Sequence, residues 1–382
     1  MSGALLLIGN PGTRRTALLT AALARAGHAA PRVVPWRTVL ADGPDRAGMH
    51  LTAALDDRPP TVMRIDSPGD DPQVDRLLRG ADRVALHGAV TAGPDWYRGF
   101  TTATAALASA ARAARIPSTT DPDEIAVLFD KPACHARLTA ARVPVPPALD
   151  APDTPPVSGW AELRDRLASR GWHRVFVKPA HGSSASGVLA VQLRRRGRHL
   201  DVIARGPVEL AGGQPFNTLR PGVFRGETEV APLIDALADR HLHVERWFPK
   251  LVYERRAVDV RVLTVGGTAG HAVVRAATGS ITNLHLGNAR GDLTTLRSVL
   301  GDDGWRRVLD VAEAAAACFP RTLTVGVDVL VGARATATRP IPVAVAEVNA
   351  FGDLLPNLPG LHRPDHDPYD TQVAALAERM LL

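Results

Sequence analysis

The sequence predicts an α/β protein in two parts: an open α/β unit over roughly the first 115 residues, then an α+β region rich in β-hairpins. Three observations carry this. Short apolar runs alternate with helical patterns near the N-terminus, prolines cluster at 117–122 and 144–156, and beyond them apolar runs come in pairs divided by turn residues.

Ala4–Gly9 reads as a buried strand, and an amphipathic helix over about 14–27 follows a Gly/Pro turn and ends near Gly27. Val33 and Val34 mark a second strand, and Thr61–Ile65 and Arg83–His87 two more. Residues 100–114 are alanine-rich and helical. Asp130-Lys131-Pro132 opens a short helix, a further helix covers about 160–170, and Arg174–Ala180 is a strand. Three hairpins follow, two of them separated by a helix at about 303–318, and a last helix covers about 369–381. Residues 205–226, with Asn217, Arg220 and Arg225, are predicted to be an irregular connection near a cleft.

Of the 382 residues, 45% are hydrophobic and 22% charged, which excludes disorder as the dominant state. No apolar run approaches the ~20 residues of a membrane helix. Ala4–Ile8 has no basic stretch before it and makes a poor signal peptide; no membrane partner is expected, and the near-absence of cysteine makes the cytoplasm the expected compartment. The net charge is +6, from 45 Lys and Arg against 39 Asp and Glu. Such a balance suits small anions or nucleic acid, but aromatic residues make up only 4% and do not interleave with basic ones, so no nucleic-acid partner is expected. The densest basic run, Arg194–Arg198, reads as a solvated hairpin tip. Cys134 and Cys318 are far apart and in no CxxC, which removes a disulfide framework and a zinc site.

Four segments carry chemistry. In the first, strand Val175–Lys178 ends on a lysine and runs into the loop Gly182-Ser183-Ser184-Ala-Ser-Gly187. Small residues let backbone N–H groups approach an anion, and the lysine adds a point charge for phosphate. A plain hairpin tip has the same composition, and the spacing is not that of a Walker A loop. In the second, the strands Leu323–Val331 and Val343–Asn349 pair as a hairpin that brings Asp328, Glu347 and Asn349 to one side. Three oxygen donors suit Mg²⁺, while an outward polar face is the bland use of the same pattern. In the third, Glu245-Arg246-Trp247-Phe248 forms either a cleft for a flat ring or a strand end packed on the core. In the fourth, Asp259 and Arg261 share a strand face, Gly266-Gly267 turns the chain, and Arg275 and the polar loop 283–292 follow. Arginines there suit phosphate or carboxylate, and a surface ion pair is the alternative. Arg14 and Arg15, at a strand's carboxyl end and a helix start, and Arg64 to Ser67 stand as carboxylate-binding candidates or as surface groups. His362 and His366 lie in a Pro/Asp-rich tail that reads as a solvated connector.

The ordered set of lysine, Gly/Ser loop, V-E-x-W, D-x-R-V, N-L-H loop, G-V-D and E-V-N resembles the ATP-grasp superfamily over about residues 117–355. An uncharacterised bacterial branch with N-L-H-L-G and E-V-N-A-F-G-D signatures is similar. The resemblance implies a pre-ATP-grasp-like α/β domain over 1–116, a small lid subdomain over 117–244 and a C-terminal subdomain with the metal site over 245–382, the nucleotide lying between the last two. It implies ATP and Mg²⁺ as cofactors. Lys131 and Lys178 would bind phosphates, Gly182, Ser183, Ser184 and Gly187 would form the loop over them, and Glu245, Arg246, Trp247 and Phe248 would hold adenine. Asp328, Glu347 and Asn349 would be the metal ligands, and Arg261, Arg275 and Lys178 the catalytic residues. Lys250 and Val252 occupy the stretch where the family often has an acid for the ribose, so that contact is unassigned.

The implied activity is ATP-dependent ligation of a small-molecule or peptide carboxylate, through an acyl phosphate, to an amine or other nucleophile. Small-molecule phosphorylation and nucleotide binding without turnover are the alternatives, and a homodimer is left open.

Overall fold

The computed structural model describes residues 4–55, 60–69, 71–149, 154–197, 199–333, 340–351 and 355–379. The chain opens with β1 (Leu5–Gly9), α1 (Arg14–Arg25), β2 (Arg32–Pro35), α2 (Trp36–Val39), α3 (Ala47–Ala54), β3 (Val62–Ile65), α4 (Pro72–Leu78) and α5 (Pro94–Ala113). The three strands form a parallel sheet in the order β2-β1-β3. β1 is apolar at every position because helices cover both faces of such a sheet. Leu6 and Ile8 pack with Trp36, Leu51 and Phe100 on one side, while Leu5 and Leu7 pack with Leu19 and Leu23 on the other.

The strand expected at Arg83–His87 does not form. The outer edge of β3 is already taken: Met63 N donates to Pro117 O at 2.8 Å and Thr119 N to Met63 O at 2.9 Å. With that edge filled, residues 83–87 run as irregular chain, leaving Val84 and Leu86 38% and 69% exposed. The segment then crosses to the middle of the molecule, where Ala89 bridges Phe216 and Val90 enters a second core.

Next come α6 (Pro122–Leu128), α7 (Lys131–Ala140) and α8 (Trp160–Arg170). After them lie β4 (Arg174–Pro179), β5 (Leu189–Arg196), β6 (His199–Ala211), β7 (Gln214–Arg225), α9 (Glu227–Ala238) and β8 (Leu242–Arg246). The strands make an antiparallel sheet in the order β7-β6-β5-β4-β8, with α8 and α9 packed into one core against it. Residues 205–226 are therefore not irregular; they complete the β6–β7 hairpin. Their glycines and prolines mislead because they sit where a sheet tolerates them. Gly206 faces Gly222 beside a register shift between Gly206 and Val208, and Pro215 and Pro221 lie on β7, the edge strand. The basic run does turn a hairpin between Arg196 and His199, although Arg198 lies outside the described residues.

The last part holds β9 (Val252–Tyr253), β10 (Arg256–Val265), β11 (Thr268–Ala277), β12 (Ala289–Gly291), α10 (Leu293–Ala317), β13 (Thr324–Val331), β14 (Val343–Asn349) and α11 (Pro368–Glu378). The strand order is β12-β11-β10-β13-β14, with β9 on β10. Gly266 and Gly267, with φ of +60° and +88°, make the tight turn between β10 and β11 that only glycine adopts readily. Residues beyond 379 of the expected last helix lie outside the described residues. One face of this sheet shares a continuous core with α10 and with the N-terminal unit. Leu263, Val265, Tyr369 and Val373 close the other contact, against Leu5 and Leu7.

A recurring device starts the helices. Asp71-Pro72, Asp121-Pro122 and Asp367-Pro368 each place an N-cap carboxylate before a proline at the first turn, and Asp130 does the same two residues ahead of Pro132. Among the described residues no helix is long and apolar enough to cross a membrane.

Candidate active site

A cleft of about 800 Å³, including its open mouth, lies between the middle sheet and the C-terminal sheet. Lys131, Lys178, Glu245, Asp259, Arg275, Asp328 and Glu347 all line it. These groups come from α7, β4, β8, β10, β11, β13 and β14, and strand pairing sets each one's direction.

On the middle sheet, β4 pairs with β8 so that Lys178 faces His243 and Phe176 faces Glu245. Lys178 Nζ lies 2.5 Å from Glu245 Oε2, and His243 Nε2 lies 2.9 Å from Glu245 Oε1. Burial alone would lower the Lys178 ammonium, but the Glu245, Glu347 and Asp328 carboxylates outweigh it and hold it above the ordinary lysine value. Burial would raise the Glu245 carboxyl, yet Lys178 and His243 hold it well below the usual range.

Lys131, the first residue of α7, is aimed by the Asp130 cap. Its ammonium donates to the Gly182 carbonyl and lies 3.1 Å from Glu347 Oε1. The Gly/Ser loop is thus fastened to α7. It is also fastened to β7, because Gly187 N donates to Asn217 Oδ1 at 3.1 Å. Ser184 and Ala185 sit at φ of +54° and +61°, a left-handed pair that costs local strain in non-glycine residues.

On the C-terminal sheet, Asp328 stands directly opposite Glu347, and Gly326 opposite Asn349. A bulge at Ala346 re-aims the strand at that point. Arg261 faces Asp328 across β10–β13 and donates to both its carboxylate oxygens, and Arg275 Nη1 reaches Asp328 Oδ2 at 3.1 Å. Asn349 Nδ2 donates to Gly326 O at 3.2 Å, which leaves its side-chain oxygen directed elsewhere. Burial would raise the Glu347 carboxyl, but Lys131, Lys178 and Arg261 hold it low.

Sequence reasoning missed one cluster in the cleft wall. Lys250 Nζ donates to Asp259 Oδ2 and to Thr282 Oγ1, each at 2.8 Å, and Arg275 Nε donates to Asp259 Oδ1 at 2.7 Å. Burial pushes Lys250 down despite Asp259 beside it. The signal was the same lysine noted for standing where an acid was expected. Of the four residues expected to hold a ring, Glu245, Arg246 and Phe248 line the cleft, while Trp247 stacks on Phe176 with centroids 4.9 Å apart.

The donor set fits a magnesium ion. Asp328, Glu347 and Asn349 offer hard oxygen ligands from adjacent strands beside two lysines, and Mg²⁺ usually takes one or two carboxylates and completes its shell with phosphate and water. Among the described residues no three His, Cys, Asp or Glu side chains gather into a group that could hold a metal ion by themselves.

This two-sheet arrangement is the fold of the ATP-grasp ligases. No protein-family model matches the chain. No curated protein matches it either. Among solved structures, the ATP-grasp ligase PsnB complexed with minimal precursor superposes with a TM-score of 0.54 at 14% identity, over 99% of this chain and 100% of that one. An ADP complex of N5-carboxyaminoimidazole ribonucleotide synthetase gives 0.55 at 12%, over 98% and 76%. The D-alanine–D-alanine ligase of Bacillus anthracis complexed with ATP gives 0.50 at 10%, over 100% and 98%.

Proposed function

We propose that the protein is an ATP-dependent ligase that activates a substrate carboxylate as an acyl phosphate and couples it to an amine or other nucleophile. The observation that carries this reading is the meeting of Lys131, Lys178, Asp328 and Glu347 in one cleft between two sheets. The solved structures with ADP or ATP bound support it by their shared fold.

In this reading the triphosphate enters the cleft with its base near Arg246 and Phe248. Lys131 and Lys178 neutralise phosphate charge, and the chemistry is mostly positioning and electrostatics. Asp328, Glu347 and Asn349 would hold Mg²⁺, which would offset charge on the phosphate oxygens. A substrate carboxylate oxygen attacks the γ-phosphorus, the bond to the β–γ bridging oxygen breaks, and ADP leaves. Arg261 and Arg275 steady the acyl phosphate. The nucleophile then attacks the acyl carbon and expels phosphate. The loop from Gly182 to Gly187 excludes water that would hydrolyse the acyl phosphate.

The test is a coupled ADP-release screen across amino acids, small carboxylates and peptides, with and without an amine. Amine-dependent release of ADP and free phosphate is expected, and it should vanish in Lys178→Ala and Glu347→Gln. Full turnover in both variants would remove the assigned site, and phosphate retained on the acceptor would make the protein a kinase.

A further inference from the structure

Beside the nucleotide cleft, and sharing Lys131, Arg275 and Glu347 with it, lies a second cavity of about 2030 Å³ including its open mouth. It is roofed by the N-terminal unit, at Thr13–Arg15 and Ser67–Gly69, and walled by the 283–290 loop. Six cationic side chains line it, Arg14, Arg15, Lys131, Arg261, Arg275 and Arg290, against one carboxylate, Glu347, among the described residues.

Four of the six are neutralised in place. Arg261 and Arg275 face Asp328 and Asp259, Lys131 faces Glu347, and Arg15 lies 3.5 Å from Asp66. Arg14 and Arg290 have no carboxylate partner among the described residues. Arg290 stands directly opposite Arg275 across β11 and β12, on the exposed side of the cavity. Arg14 opens α1, which has no acidic residue in its first turn, so its charge opposes the local backbone dipole. Both arginines border one cavity, which runs into the place where the triphosphate would end.

We propose that this cavity binds a substrate carrying, besides the carboxylate that reacts, a second anionic group, a carboxylate or a phosphate, held by Arg14 and Arg290. The inference rests on the ligase reading, which supplies the reacting carboxylate. Apart from its open mouth the cavity is about 570 Å³, within the ~300–1,000 Å³ of ligand pockets, which leaves room for a substrate with two anionic groups.

Three end-blocked peptides, titrated calorimetrically at low salt with Mg²⁺ and ADP present, test it: acetyl-Glu-Gln-Gln-amide, acetyl-Glu-Gln-Glu-amide and acetyl-Glu-Gln-phosphoserine-amide. At least one two-anion peptide should bind roughly tenfold tighter than the one-anion peptide, as expected for a charge-assisted hydrogen bond. Whichever binds tighter identifies carboxylate or phosphate. The preference should shrink at higher salt and disappear in Arg14→Gln and Arg290→Gln, while Arg290→Lys keeps part of it. Thermal melts verify that each variant is folded. Equal binding of all three peptides to the wild type, or a preference that survives in the Arg14→Gln/Arg290→Gln double variant, overturns the proposal. A separate ADP titration of the wild type tells the two readings apart. Failure to bind ADP would remove the ligase reading and leave an anion site, whereas ADP binding without peptide discrimination would remove only the anion site.

Discussion

Lys178 Nζ and Glu245 Oε2 lie 2.5 Å apart on the neighbouring strands β4 and β8, and His243 occupies the other carboxylate oxygen of Glu245. The glutamate is committed on both sides, so it holds the lysine ammonium at one place in the cleft wall. In the proposed reaction that pair would tie catalysis to stability.

Lys178→Ala should lower ADP release by roughly 10²–10³-fold, the usual loss on removing one preorganised electrostatic group. It should also destabilise the fold by about 3–5 kcal/mol, because Glu245 is left buried without its lysine. The Lys178→Ala/Glu245→Ala pair should regain much of that stability and none of the activity. Urea unfolding alongside kinetics separates the two effects.

Glu347→Gln should act mainly on activity. A glutamine oxygen still accepts from Lys131, but the charge that Lys131, Lys178 and Arg261 stabilise is lost, so the melting temperature should fall modestly. ADP release should fall by about 100-fold, and half-activation should need more Mg²⁺. A Mg²⁺ titration of both proteins checks it, and an unchanged half-activation point would take Glu347 out of the metal set.

Acid should unfold the protein through the carboxylates of its cleft wall. Glu245, Asp259 and Glu347 are all held below their ordinary values in the fold; burial opposes this, and the lysines and arginines beside them prevail. Each binds protons less readily when folded, so its stabilisation is complete above the unfolded value of about 4.3 or less, and drains away as pH falls toward the folded one. The melting temperature should be level from about pH 5 to 7 and drop steeply below about pH 4. Glu245→Gln should soften that acid limb. On the alkaline side, Lys178 is raised, so its contribution persists below the unfolded lysine value and fades as pH climbs through the folded one.

Gly187→Ala should loosen the Gly/Ser loop. Its φ is +66°, and an added Cβ would lie 2.8 Å from Pro179 Cγ and 3.1 Å from Leu237 Cδ2. A loss of more than about 1 kcal/mol is expected, with a higher KM for ATP because the anchor to Asn217 shifts. Denaturant midpoints and initial rates measure both.

Local pattern made much of the fold legible. The apolar run of β1, the Asp130 cap of α7, the turn at Gly266-Gly267 and the parity of Asp328 each depend on residues close in sequence. What escaped depended on distant partners. Nothing near Arg83–His87 says that Pro117–Thr119 will occupy the edge of β3. The prolines of residues 205–226 are strand-compatible only because β7 lies at an edge, which is a property of the whole sheet. α3, α4 and α9 escaped too, being short or, in α9, interrupted by Pro232. In the site, Asp328, Glu347 and Asn349 could be placed on one side from strand parity alone. The arginine fork on Asp328 and the Lys250–Asp259–Thr282 cluster could not, because they join β9's approach, β10, β11 and a loop that only folding brings together.

The continuous core beneath the N-terminal parallel sheet bears on how the chain can be cut. Leu6, Ile8, Met63 and Phe100 belong to the same apolar cluster as Val260, Val327 and Trp305. A truncation that starts at α6 would strip this cluster of one wall and present a broad oily surface to water. Such a fragment would clump rather than remain dispersed, and the strands of the cleft wall, robbed of their backing, would lose their register with it.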